Sequence, residues 1–277
     1  MPELLLELLS EEIPARMQER AAEDLGRLVA AALAPLSPQD VRVFHGPRRL
    51  ALVAQVAAGT PETRSTERGP RAGAPEAALA GFLRKHGASR DAVREEGGYL
   101  VLDRVVPAVD AATIIARELP LVLRRFPWPK SMRWGGTSSF AWVRPLRRIL
   151  CILDGRIVPF ALREGDDDGH GLAAGNETEG HRFMAPGAFA VASFADYRAE
   201  IAARHVILDA EERVALIRRD AARLAEAEGL SVVEDAGLVA EIAGLTEWPV
   251  GLIGRIDDAF MDLPPEVLRT SMRVNQR

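Results

Sequence analysis

The side chains best suited to chemistry crowd into Leu119 to Leu153, where three of the four tryptophans and seven basic residues stand without a single acid. The whole chain has a net charge of −5, so the remainder carries −12 against the +7 of this stretch. Its centre reads Phe126-Pro127-Trp128-Pro129-Lys130-Ser131-Met132-Arg133-Trp134-Gly135, followed by Trp142-Val143-Arg144-Pro145. Cations among planar rings suit RNA, because rings stack on bases and cations neutralise phosphate. The same residue types also build packed cores with arginines solvated along the rim, and they are enriched at the hot spots of protein interfaces. The sequence alone leaves these readings open.

The motifs of most enzymes are missing. There is no P-loop, no Gly-x-Gly-x-x-Gly after a strand, no His-Glu-x-x-His and no Gly-x-Ser-x-Gly. Five histidines are scattered along the chain, and none has a metal-type partner three or four residues away. His181, within Gly180-His181-Arg182-Phe183, is the best single histidine candidate, with a structural role competing. The run Asp166-Asp167-Asp168 with His170 has metal-binding residue types, but calcium loops need ligands at alternate positions and a closing acid, and His170 and Gly171 stand where ligands belong. No metal site is therefore expected. Glu11 and Glu12 form a carboxylate pair whose simplest use is to complement a helix dipole. On this chemistry the chain reads as a binding or assembly module rather than a catalyst.

The elements that position these residues read as an α+β fold: mixed, largely antiparallel sheets with packed helices, in two or more subdomains. Residues 1–60 read as strand, helix, strand, with a helix from about Pro14 to Leu33 and an extended stretch from Val41 to Ala58. Residues 61–75, rich in Gly, Pro, Thr, Arg and Glu, read as a linker or long loop. Residues 76–277 read as a mixed body, divided near 165–180. Within it, Glu76 to His86 and Ala108 to Arg125 have helical spacing and Gly98 to Val106 reads as a strand. Asp154-Gly155 between apolar runs signals a type I′ hairpin, expected to be well buried. Asp209 and Gly229 bound a helix, and helical spacing recurs from Leu238 to Leu245. Val250 to Ile256 reads as extended, and Pro264-Pro265-Glu266 opens a last helix.

Length and a 48% hydrophobic content allow about two domains. A pI near 5.7 makes any nucleic-acid contact local. Thirty-three arginines against two lysines reflect genome bias as readily as a need for guanidinium forks. The lone Cys151 lies in an apolar run and is expected to be buried. The acidic start of the chain does not resemble a signal peptide, and no apolar run approaches the ~20 residues that span a bilayer. A cytoplasmic protein without a membrane or DNA partner is expected.

Eight segments in order resemble one family, the β subunit of the bacterial heterotetrameric glycyl-tRNA synthetase. They are Glu7-Leu8-Leu9-Ser10-Glu11-Glu12-Ile13-Pro14, Pro47-Arg48-Arg49-Leu50-Ala51, Arg68-Gly69-Pro70, Pro129 to Gly135, Val143-Arg144-Pro145, Gly180-His181-Arg182-Phe183-Met184, Glu247-Trp248-Pro249, and Leu263-Pro264-Pro265-Glu266-Val267-Leu268 with Thr270, Met272 and Gln276. The family's chain is more than twice as long, and its HD-like and anticodon-binding domains have no counterpart here. The glycine-rich acidic insert from Asp166 to Asn176 departs from the family pattern and is expected to be a surface loop.

The resemblance implies a non-catalytic subunit. The α subunit would activate glycine with ATP and Mg²⁺ and transfer it to tRNA(Gly), while the β subunit supplies tRNA binding and assembly with α. No cofactor and no catalytic residue is carried over to this chain. Arg48, Arg49, Trp128, Lys130, Arg133, Trp134, Arg144, His181 and Arg182 are the candidate contacts to tRNA or partner. A purely structural scaffold for the α subunit is the alternative, and a hydrolytic editing domain lacks a nucleophile or metal motif.

Overall fold

The structure is a computed structural model that describes residues 1–136, 138–260 and 262–272. Two compact units divide the chain: one contains Met1–Ala58 together with the chain from Ala112 onward, and the other is Gly59–Ala111, inserted between those segments.

In the larger unit the sheet forms around β1 (Glu3–Ser10), β2 (Gln39–His45) and β3 (Arg49–Gln55). Strand β1 pairs antiparallel with β3, and β3 with β2. The apolar run Leu4-Leu5-Leu6-Glu7-Leu8-Leu9 is buried on both faces, which suits a central strand. Helix α1 (Ala15–Ala32) lies on the face bearing Val43 and Leu52, so close that a Cβ on Gly26 would approach Val43 Cγ1 to 3.0 Å. Its buried stripe of Ala21, Ala22, Leu25 and Val29 supplies the contact.

The inserted unit is a thin two-layer structure. Strands β4 (Gly59–Thr60), β5 (Thr63–Arg71), β6 (Val93–Glu96), β7 (Tyr99–Val106) and β8 (Val109–Asp110) make a pair, β4 with β8, and a three-stranded sheet ordered β5-β7-β6. Helix α2 (Glu76–His86) ends on Gly87 in the left-handed conformation. The sheet corrects one expectation: residues 61–75 are no linker, since Thr63–Arg71 pairs along β7. This strand escapes a sequence reading because most of its side chains face solvent, so it lacks the apolar alternation by which strands are recognised.

The larger unit resumes with α3 (Ala111–Arg124). It continues through β9 (Leu146–Leu153), β10 (Arg156–Ile157), β11 (Ala174–Gly175), β12 (Glu177–Glu179) and β13 (Ala188–Ala190). Helices α4 (Phe194–Ala203), α5 (Ala210–Ala227), α6 (Ala236–Leu245) and α7 (Pro265–Met272) follow. Strand β9 pairs with the free side of β1, giving the order β10-β9-β1-β3-β2, and β11 adds to β9 in parallel. Residues 1–60 are therefore no separate subdomain, because β1 is held between β3 and a strand nearly 150 residues away. Nor does the body divide at 165–180, where β11 joins the same sheet. Long-range pairing of this kind leaves no local trace in sequence.

The Asp154-Gly155 turn has φ values of 51° and 78°, as a type I′ hairpin requires. The hairpin is less buried than expected: β10 keeps two paired residues, both exposed. No strand forms over Val250 to Ile256, while α6 and α7 occupy the helical segments read from the sequence. Gln276 lies outside the described residues. No helix among the described residues is long and apolar enough to cross a membrane.

Candidate functional site

The registers of β1, β3 and β9 set Leu5, Glu7 and Leu9 on one sheet face with Arg49, Ala51 and Val53 on one side and Arg148, Leu150 and Ile152 on the other. Phe194, Tyr197 and Ile201 of α4 join this apolar cluster. Two charges, Glu7 and Arg49, are therefore buried within a hydrophobic layer. An isolated charge there would be very costly, so the surrounding elements must neutralise it.

Arg49 Nη1 donates to Glu7 Oε1 at 2.8 Å. Its Nε and Nη2 both reach Glu247 Oε1, at 3.1 and 2.9 Å, and Nη2 also donates to the Glu179 carbonyl at 3.1 Å. The Tyr197 hydroxyl donates to Glu7 Oε1 at 2.6 Å. Burial opposes the Arg49 charge, but Glu247 and Glu7 outweigh it and hold the guanidinium protonated well above its ordinary range. Burial, with the neighbouring Glu7 carboxylate, raises the Tyr197 hydroxyl.

The network runs outward from this centre. Arg48 and Arg148 share Glu179, at 3.3 and 2.9 Å, and Arg148 also holds Glu177. Arg147 reaches Glu11 at 2.7 Å, and Arg182 bonds both Glu11 and Glu12. Burial would raise Glu11 and Glu179, but the guanidinium bonds prevail and lower both below the usual carboxylate range. Arg213, also buried, ties the carbonyls of His45, Ile207, Leu208 and Ala243 together. Burial without a directly bonded carboxylate pushes it down to about 10. Five of the segments singled out in the sequence thus meet: those of Glu7, Arg48, Arg182 and Glu247, and that of Pro145, whose carbonyl accepts from the Glu11 amide at 3.0 Å. Their charges are consumed by one another, so the arrangement frames the fold rather than offering an open acid or base.

A second assembly is aromatic. Phe126, Trp128 and Trp142 meet at centroid distances of 4.9 to 5.0 Å, and Trp142 is fully buried. Mutual backbone bonds between Met132 and Trp142, at 2.8 and 3.1 Å, close the excursion from residue 133 to 141. Trp134 stacks on His170 at 4.2 Å and 21° between planes. Asp167 fastens the same loop: it accepts from Ser138 Oγ at 2.5 Å, from the Ser139 and Gly169 amides at 2.8 Å each, and from the Ser139 hydroxyl. Those bonds hold its carboxyl far below the usual range. The stretch from Asp166 to Asn176 is accordingly more than a surface loop. It is the buttress of the tryptophan segment, where its Asp167 and His170 are engaged.

The candidates therefore separate. Arg48 and Arg49 are buried inside the chain, so neither is available to an external ligand; adjacent arginines before a strand look alike in sequence whether they face in or out. Arg182 is committed to Glu11 and Glu12, and His181 accepts the Phe183 and Met184 amides on Nδ1 at 3.3 and 3.1 Å, shaping its own turn. Arg144 is half-buried and donates to its neighbour's carbonyl. Trp128 and Trp134 are half-buried in the aromatic assembly. Lys130 and Arg133 remain exposed on either side of Met132, and no acid holds them among the described residues. Sequence reasoning missed Glu7, Glu179, Tyr197 and Arg213. Only Glu7 carried a signal, an acid in the middle of the apolar run from Leu4 to Leu9.

Comparison with known proteins agrees with this arrangement of motifs. The family model described as glycyl-tRNA synthetase beta subunit matches residues 4–277. A glycine–tRNA ligase beta subunit from Phenylobacterium zucineum (strain HLK1) is 52% identical over 281 residues, covering all of this chain and 41% of that protein. Those from Cereibacter sphaeroides (strain ATCC 17023) and Paracoccus denitrificans (strain Pd 1222) are 51% and 49% identical over 288 residues, again across the whole chain and 40% and 41% of theirs. The chain thus spans about two fifths of the length of these relatives. With its motifs gathered around one buried arginine and the match running through both units, the chain belongs to the glycyl-tRNA synthetase beta subunit family.

Proposed function

We propose that this chain serves glycine–tRNA ligation as a non-catalytic part of a β subunit, contacting tRNA(Gly) through the arm that carries Lys130 and Arg133 and assembling with a catalytic α subunit. The observation that carries the reading is the contrast between the bases of the Leu119 to Leu153 stretch. Arg124, Arg147 and Arg148 are held by acids, whereas Lys130 and Arg133 project from a loop braced by rings and by Asp167. Cations held out on a rigid support, free of competing carboxylates, suit phosphate contacts. The buried carboxylates of Glu7 and Glu247 are both engaged by Arg49, and this reading assigns ATP, Mg²⁺ and glycine activation to the α subunit. A cytoplasmic setting follows from the same reading.

The test is the salt dependence of tRNA(Gly) binding by the assembled enzyme carrying Lys130→Ala and Arg133→Ala. Loss of two phosphate contacts should make the slope of log K against log salt shallower by about 2. An unchanged slope and affinity in a folded double variant would refute tRNA contact by this arm. Lost α-subunit assembly with tRNA binding intact would favour a scaffold that holds α alone.

A further inference from the structure

Among the described residues, twelve of the twenty-one large hydrophobic side chains that stand exposed fall between Leu230 and Val267. Four of them, Ile242, Val250, Leu252 and Ile253, line a groove of about 450 Å³ between α5, α6 and the irregular segment after Trp248. Ile217 and Leu224 of α5 and Ile242 of α6 line it, with Val250 and Leu252 at its lip, 66% and 89% exposed. The segment is seated rather than loose: a Cβ on Gly251 would meet Leu224 Cδ1 at 3.0 Å. Folded monomers rarely leave a contiguous apolar surface of this kind uncovered.

The surroundings indicate what covers it. Leaving out the buried Asp235 and Glu247, residues 230–267 hold six acids and one base, which repels nucleic acid and suits a protein surface with an apolar centre and a basic rim. In the relatives, the matched portion is the N-terminal two fifths, and further polypeptide follows it. The groove lies within the last sixty-one residues of the match, 217–277, so that following polypeptide is tethered beside it at high effective concentration. We propose that the groove is the docking site for the portion of the β polypeptide that follows in the relatives, which would insert apolar side chains between α5 and α6 and set basic groups against the acids.

Hydrogen exchange tests this on two proteins, this 277-residue chain and the full-length Phenylobacterium relative, each without α subunit or tRNA. The backbone from Pro249 to Ile256 lies outside helices and strands, so in this chain it should exchange rapidly. The aligned peptide of the relative should exchange at least tenfold more slowly. Leu252→Glu should leave the thermal unfolding of this chain unchanged, while the same change at the aligned position of the relative should lower its Tm and restore rapid exchange. Equal exchange in the two proteins would overturn the proposal. So would protection that appears only on adding α subunit, or only at concentrations where this chain self-associates, since the occupant would then be α or a second copy.

Discussion

Replacing Arg49 with Met keeps an apolar stem in the layer between the sheet and α4 but removes the charge that Glu7 and Glu247 face. Both carboxylates are almost wholly buried, at 0% and 5% exposure, and Arg49 supplies each with a direct charge-assisted bond. Breaking a buried pair by removing one partner costs about 3–5 kcal/mol, because a charge is left uncompensated. For a unit of this size each kcal/mol lowers Tm by roughly 2–4 °C, so Arg49→Met should lose on the order of 10 °C. Glu7→Gln leaves Arg49 with Glu247 and should cost less, about 1–3 kcal/mol. The double variant should then be more stable than the sum of the two losses predicts, by at least about 1 kcal/mol, since the pair shares one network. Urea unfolding of the four proteins measures the cycle. A loss below about 1 kcal/mol for Arg49→Met, or strict additivity with Glu7→Gln, would refute the view that this ion pair holds the motif segments together.

Two further outcomes follow from the outer network and the arm. Glu11 and Glu179 have folded-state pKa values lowered by arginine bonds that outweigh burial, so their contribution is complete above the ordinary carboxylate range and lost as pH falls through their lowered values. The urea midpoint should be flat above about pH 5 and decline below about pH 4; Arg182→Ala should flatten that acid-side decline, and an identical decline in the variant would contradict the assignment. Asp167→Asn cannot accept the Ser138 and Ser139 donors as strongly, so Trp134 should lose its fixed place on His170. Faster amide exchange from Ser138 to Phe140 and altered tryptophan fluorescence, with global unfolding little changed, would bear this out, and unaltered exchange would not.

Elements with strong local signals were legible from the sequence. Helix α1 begins just after Pro14, α5 starts at its Asp209 cap, and the hairpin turns at Asp154-Gly155 where positive φ is required. What escaped depends on partners distant in sequence. Strand β5 has an exposed polar face and is specified by β7, and the first sixty residues lose their independence to β9. The same holds at the site. Neighbouring bases in the tryptophan-rich stretch have different fates because Arg148 meets Glu179 across the sheet, while Lys130 lies beyond the reach of any acid among the described residues. Spacing cannot tell a consumed guanidinium from a free cation; the carboxylates brought against it by the fold can.

The most direct test of tRNA contact by the arm places a photo-crosslinking side chain at Met132, which is 40% exposed between Lys130 and Arg133, in the assembled enzyme with tRNA(Gly). A crosslink to the tRNA that disappears at high salt is expected. Crosslinking to the α subunit alone, or none to tRNA under conditions where aminoacylation proceeds, would contradict it.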